Sequence, residues 1–118
     1  MHMQAYYHVI HTEARDGFDI VVDQCAEHLS ICDMFDDTCH DIKDLEDKVR
    51  RGIYDWFTLR VRVLVEDHEL ASEYLGGCMY ADCKDVMKDG TAEDLIQQAL
   101  LDARKEVIRL RNLLAVLA

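Results

Sequence analysis

Residues 56–65 read Trp-Phe-Thr-Leu-Arg-Val-Arg-Val-Leu-Val, and this alternation decides the fold. Successive side chains of a strand point to opposite faces, so Phe57, Leu59, Val61, Val63 and Val65 share one side and Thr58, Arg60 and Arg62 the other. β-branched and aromatic residues suit such a pleated, half-buried surface. The apolar side therefore belongs in a core. Downstream, Glu66-Asp67-His68-Glu69 supplies a connection, and Leu70 to Leu75 returns as a partner strand ending at Gly76-Gly77.

Working outward toward the N-terminus, Gln4 to His11 alternates Ala5, Tyr7 and Val9 against Tyr6, His8 and Ile10. A turn at Ala14-Arg15-Asp16-Gly17 follows. Phe18, Ile20 and Val22 then face one way and Asp19, Val21 and Asp23 the other, which predicts an antiparallel hairpin over 4–23. Residues 24–35 admit two readings, a helical face joining Cys25, His28, Leu29 and Cys32 or an irregular connection.

Helices are signalled twice. Asp36 or Asp37 as N-cap, Ile42, Leu45 and Val49 at helical spacing, and Gly52 just past the end predict a helix over 37–51. Asp44 to Lys48, Glu46 to Arg50 and Asp47 to Arg51 stand four residues apart with the acid first, each pair worth roughly 0.3 kcal/mol. A short helical turn over 82–88 stops at Gly90. Thr91 and Asp94 resemble a capping box for a long helix, 91–117. Along it Ile96, Leu100, Ala103, Val107, Leu110, Leu114 and Leu117 step by 4, 3, 4, 3, 4 and 3, and Leu101, Ile108 and Leu113 widen the stripe. Such a helix outruns a short sheet, which leaves its end to seek a second subunit. The expected order is β-β-α-β-β-α, a single α+β domain over 1–118 with a four-stranded antiparallel sheet packed by helices.

Composition bounds the function. Twenty-four Asp and Glu against thirteen Lys and Arg give 118 residues a formal charge of -11. The charge is uneven: residues 1–47 carry -10, 48–65 carry +4, 66–94 carry -7 and 95–118 carry +2. Acidic blocks repel phosphate and attract basic protein surfaces. Half the residues are apolar and the acids are interleaved with them, so the whole chain should fold rather than trail an acidic tail. Without a long apolar run or a basic-then-apolar leader the expected location is the cytoplasm, in a bacterial host, with no membrane contact. Met1-His2-Met3 reads as a cloning remnant before a start at Met3. Five cysteines in an odd, unframed set are expected as thiols, mostly buried.

Candidate chemistry is thin. Cys25, His28 and Cys32, with Cys39 and His40 nearby, have zinc-ligand chemistry but no standard spacing, so no metal is expected. His8 and His11, three apart on a strand, should face opposite ways. Cys39-His40 as nucleophile and base lacks any sign that the groups meet. Gly76-Gly77 lacks the Lys-Ser/Thr of a phosphate loop and reads as a bulge or a close backbone approach. Arg60 and Arg62, with Lys48, Arg50, Arg51 and Trp56, form the one basic grouping suited to nucleic acid, and Glu69 and Glu73 are expected to pair with Arg60 and Arg62 across the sheet. No catalytic residue and no cofactor is assigned. The acids remain as candidate partner-binding residues: Asp33, Asp36, Asp37, Asp41, Asp44 and Asp47 in one set, Glu66, Asp67 and Glu69 in the other.

Trp56-Phe57, Arg60-Val61, then Glu69-Leu70-Ala71-Ser72-Glu73-Tyr74-Leu75-Gly76-Gly77-Cys78 and Ala92-Glu93-Asp94-Leu95-Ile96 resemble small uncharacterised proteins of bacterial phages and mobile elements, over roughly residues 54–100. That setting implies anti-defence inhibitors, anti-CRISPR proteins among them, several of which mimic nucleic acid. The expectation is thus a non-enzymatic inhibitor that binds a basic nucleic-acid-handling protein, such as a CRISPR effector subunit, and blocks its DNA or RNA site without touching nucleic acid itself. The alternative is a structural module that homodimerises through Val107, Leu110, Leu114 and Leu117, the acids serving solubility.

Overall fold

A computed structural model describes residues 7–34 and 41–117. Four strands, β1 (Tyr7–Arg15), β2 (Phe18–Ala26), β3 (Asp55–Val65) and β4 (His68–Tyr80), form one antiparallel sheet in the order β1-β2-β3-β4. Between β2 and β3 lie a helical turn α1 (Ile31–Met34) and helix α2 (Ile42–Arg50), and after a 3-10 turn at Cys83–Met87 comes α3 (Thr91–Leu117). The architecture is α+β, as the alternating and helical periods of the sequence predict.

Two tight turns set the registers. Asp16 (φ 58°) with Gly17 (φ 85°), and Glu66 (φ 52°) with Asp67 (φ 66°), close β1–β2 and β3–β4 through left-handed pairs, the hairpin geometry that matches strand twist. His68 and Glu69 consequently belong to β4, not to a four-residue connection. β4 also runs beyond Gly76-Gly77 to Tyr80. In a meander both of these turns lie at one end of the sheet, while α1, α2 and the 3-10 turn gather at the other.

The core forms on one face. Ile20, Val22, Phe57, Leu59, Val61 and Val63 are buried against Ala92, Ile96, Ala99, Leu100 and Ala103 of α3, with Cys78, Cys83 and Val86. Three alanines on the helix allow close approach to the sheet. Val65, at the strand end, is 37% exposed and outside this core. Long side chains fasten α3 outward to the first hairpin: Arg15 bonds Glu93 at 2.8 Å and Arg104 bonds Asp16 at 2.7 Å.

Helix termini differ from expectation in a consistent way. Asp41 caps α2, its carboxylate accepting from the Asp44 N–H at 3.1 Å; Asp36 and Asp37 lie outside the described residues. Gly52 takes φ 77° just past the helix, as its sequence position predicts. At α3 the Thr91 hydroxyl is shared with Tyr80 (3.0 Å) and Asp89 accepts from the Thr91 N–H (3.0 Å), so Asp89 does the work assigned to a Thr91–Asp94 box.

Candidate interaction surface

The sheet face away from α3 carries Tyr7, Val9, Val21, Asp23, Arg60, Arg62 and Tyr74. Strand pairing places Asp23 opposite Arg60 and Val21 opposite Arg62. Asp23 is 0% exposed. Its Oδ2 accepts from Arg60 Nε at 2.8 Å and Arg62 Nε at 3.0 Å, while the Tyr7 ring lies 5.1 and 6.0 Å from the two guanidinium carbons. Burial disfavours the Arg60 charge, yet the bonds to Asp23 hold its pKa above the ordinary value. Among the described residues, Asp23 Oδ1 has no hydrogen-bond partner.

This cluster corrects the expected pairing of the arginines with Glu69 and Glu73. Glu73 stands opposite Val61, on the helix side. There it meets Asp102 of α3; the hydrogen bond between the two carboxyls, with burial and repulsion, pushes Glu73 up. Period-two alternation identifies Asp23 as lying on the arginine face, but cross-strand register is needed to pair them. A bulge near Ile10 has a similar effect: His8 pairs with Gln24 and His11 with Val22, so the two histidines share a face after all. His11 Nε2 lies 3.2 Å from Glu13.

A second unpredicted device locks the glycine pair. Glu27 Oε2 accepts from the Gly77 N–H at 2.6 Å and from the Thr58 hydroxyl at 2.9 Å, and Oε1 accepts from the Leu29 N–H at 3.0 Å. Burial opposes ionisation of Glu27, but these donors outweigh it and pull its pKa down. Gly77, at φ 70°, forms the close backbone approach that its sequence context suggests.

The acidic residues separate into two places. Asp33 is exposed on α1 and Asp41 is exposed at the α2 cap. Asp44 is bridged to Lys48 at 2.9 Å, and Asp47 to Arg51 at 3.2 Å and also to Arg50, which chooses Asp47 over Glu46. Residues 41–51 hold four acids and four bases, so α2 itself is neutral. Glu66, Asp67 and Glu69 are exposed beyond the other end of β3, an 11-residue strand and so about 36 Å away. The two sets thus do not make one contiguous face.

Cys25 lies in β2 and Cys32 in α1, so no single helix carries Cys25, His28 and Cys32. Among the described residues no group of three or more His, Cys, Asp or Glu converges as a metal site; Cys39 and His40 lie outside them. Burial pushes the thiols of Cys25, Cys78 and Cys83 up, away from the nucleophilic thiolate. A shallow groove along β4, lined by residues 75–80 and Thr91, presents no charged side chain.

On α3 burial stops at Ala103. Val107 and Leu110 are half-buried, whereas Leu114 is 64% and Leu117 73% exposed, as are Ile108, Leu113 and Val116 to comparable degrees. The last four predicted stripe residues therefore continue the seam that seats on the sheet, half-covered at Val107 and Leu110 and exposed at Leu114 and Leu117. Among the described residues no helix is long and apolar enough to cross a membrane. No protein-family model, curated protein or solved structure matches this chain.

Proposed function

We propose that this chain is a non-catalytic binding protein that sets carboxylates against the positive nucleic-acid site of a basic protein, in the manner of a phage or mobile-element inhibitor of anti-CRISPR type. One observation carries the reading. Nine of the thirteen Lys and Arg side chains are tied to carboxylates of the same chain, leaving the outward charge strongly acidic. The arginines best suited to phosphate, Arg60 and Arg62, are occupied by Asp23. Glu66 and Asp67 project from a tight two-residue turn and Glu69 follows on β4, so the backbone gathers these three exposed carboxylates at one tip of the sheet. Asp33 and Asp41 offer a second point at the opposite end of the sheet.

A tagged chain drawn from a lysate of a bacterium with active CRISPR defence tests this directly. The expected result is recovery of a nucleic-acid-binding effector that is released by competitor DNA and by raised salt, since both oppose charge-driven contact. Recovery that DNA leaves untouched, or that survives Glu66→Lys with Asp67→Lys and Glu69→Lys, contradicts it.

A further inference from the structure

We propose that the open edge of β4 takes an extended segment of a basic partner protein as a fifth strand, with a Lys or Arg of that segment set between Glu73 and Asp102. β4 ends the sheet, so every second residue along it turns its N–H and C=O away from β3. Among the described residues no backbone group of another element bonds to residues 75–80 on that side. Folded proteins guard such edges with charge, and the opposite edge, β1, carries His8, His11, Glu13 and Arg15. Leu75 to Tyr80 carries no charge. A groove of about 340 Å³ runs beside this stretch, bounded by Thr91 of α3. Glu27 already holds the Gly77 N–H, so the bulge at the glycine pair is fixed, and Cys78 to Tyr80 resumes regular pairing with β3.

The helix supplies a second wall and the charge that selects the occupant. Thr91 meets the Tyr80 hydroxyl at 3.0 Å and Asp102 meets Glu73, so α3 runs beside β4 between these two contacts. Thr91, Leu95, Gln98 and Asp102 step by 4, 3 and 4, which puts them on one side of the helix. A fifth strand lies over that side, its inward side chains meeting Leu75, Leu95 and, further along, the two carboxyls. Glu73 and Asp102 are half-buried and press on each other, and among the described residues neither is in an ion pair with a cation of this chain. A Lys or Arg brought in by the partner relieves that repulsion, which favours a basic segment over a neutral one. Charge also rejects the other occupants. A second copy joined β4 to β4 would set two chains of net charge -11 edge to edge, and nucleic acid would bring phosphate against the carboxyls.

The strand addition rests on the inhibitor reading only in taking the partner to be basic. Its probe is the end-capped peptide Val-Thr-Val-Lys-Val-Thr-Val, titrated to about 1 mM into the isotope-labelled full chain and followed by the amide NMR signals. Signals of residues 73–80 and 91–102 should move, and those of Glu66, Asp67 and Glu69 should stay. Glu in place of the central Lys should weaken binding roughly tenfold. Glu73→Gln combined with Asp102→Asn should remove that difference while leaving the circular dichroism spectrum unchanged. Peptides N-methylated on alternate residues should lose binding in one register and keep it in the other, because only one set of amides bonds to β4. No movement at the highest concentration, movement centred on Arg60 and Arg62, equal binding of the Lys and Glu peptides, or binding kept by both N-methylated peptides overturns the proposal. Glu66→Lys with Asp67→Lys should leave peptide binding unchanged, so a failure of the acidic tip and a failure of the strand edge are read separately.

Discussion

Asp23 gathers two guanidiniums from one neighbouring strand and is covered by them and by Tyr7. Replacing it isosterically with Asn leaves Arg60 and Arg62 partly buried without a counter-charge, and loss of one partner of such a group costs about 3 kcal/mol. Urea unfolding of Asp23→Asn should show that loss, with the midpoint lowered at unchanged slope; a variant as stable as the native chain would mean that solvent already screens the group. Glu73 acts in the opposite sense. Its pKa is raised above the ordinary 4.5 by Asp102, so its contribution to stability is full below 4.5 and is lost as pH rises through the raised value. Glu73→Gln should therefore raise Tm at neutral pH, and the gain should vanish below pH 4.5. Glu93, held down to about 2 mainly by Arg15, stabilises above 4.5 and loses that contribution as pH falls toward 2. Arg15→Gln should shrink that acid-side loss in a Tm–pH profile, Gln97 still donating to Glu93. None of these partners was legible along the chain, because alternation assigns a side chain to a face while the pairing across strands depends on turn length and on the bulge near Ile10.

At the scale of elements, the readable parts were those whose period is strong. Trp56–Val65, the Asp16-Gly17 turn, Gly52 and α3 all match the sequence reading, since burial on one face repeats every second residue or every three to four. Ends were harder. β4 begins earlier and runs further than Leu70–Leu75 suggests, because Glu66-Asp67 accepts left-handed backbone without glycine and Glu27 stabilises the strand through the glycine pair. Gly77→Ala should test that clasp: its φ of 70° strains any L side chain, and a Cβ there would stand 2.5 Å from Met34 Cε. A loss of about 1 kcal/mol or more in thermal unfolding is expected. Leu100→Ala, in the seat of α3, should cost about 3 kcal/mol through the cavity it leaves; a much smaller loss would mean that the helix is not held by the sheet.

The whole molecule is an acidic body from which the uncharged, apolar last turns of α3 stand clear. Composition made the net charge plain, yet not its placement: α2 neutralises its own acids, and Asp33 with Asp41 stand a strand's length from Glu66, Asp67 and Glu69. The acidic tip formed by the latter three is therefore the better defined contact of the proposed inhibitor, and reversing it should weaken the proposed partner binding by roughly tenfold, or 1.4 kcal/mol, without moving Tm. The most direct measurement is phage plating on a bacterium whose CRISPR system targets that phage, with this chain expressed from a plasmid. Plaques should return with the native chain and fail to return with Glu66→Lys, Asp67→Lys and Glu69→Lys together. Equal protection by both chains, or full interference in the presence of the native chain, would contradict an acidic inhibitor.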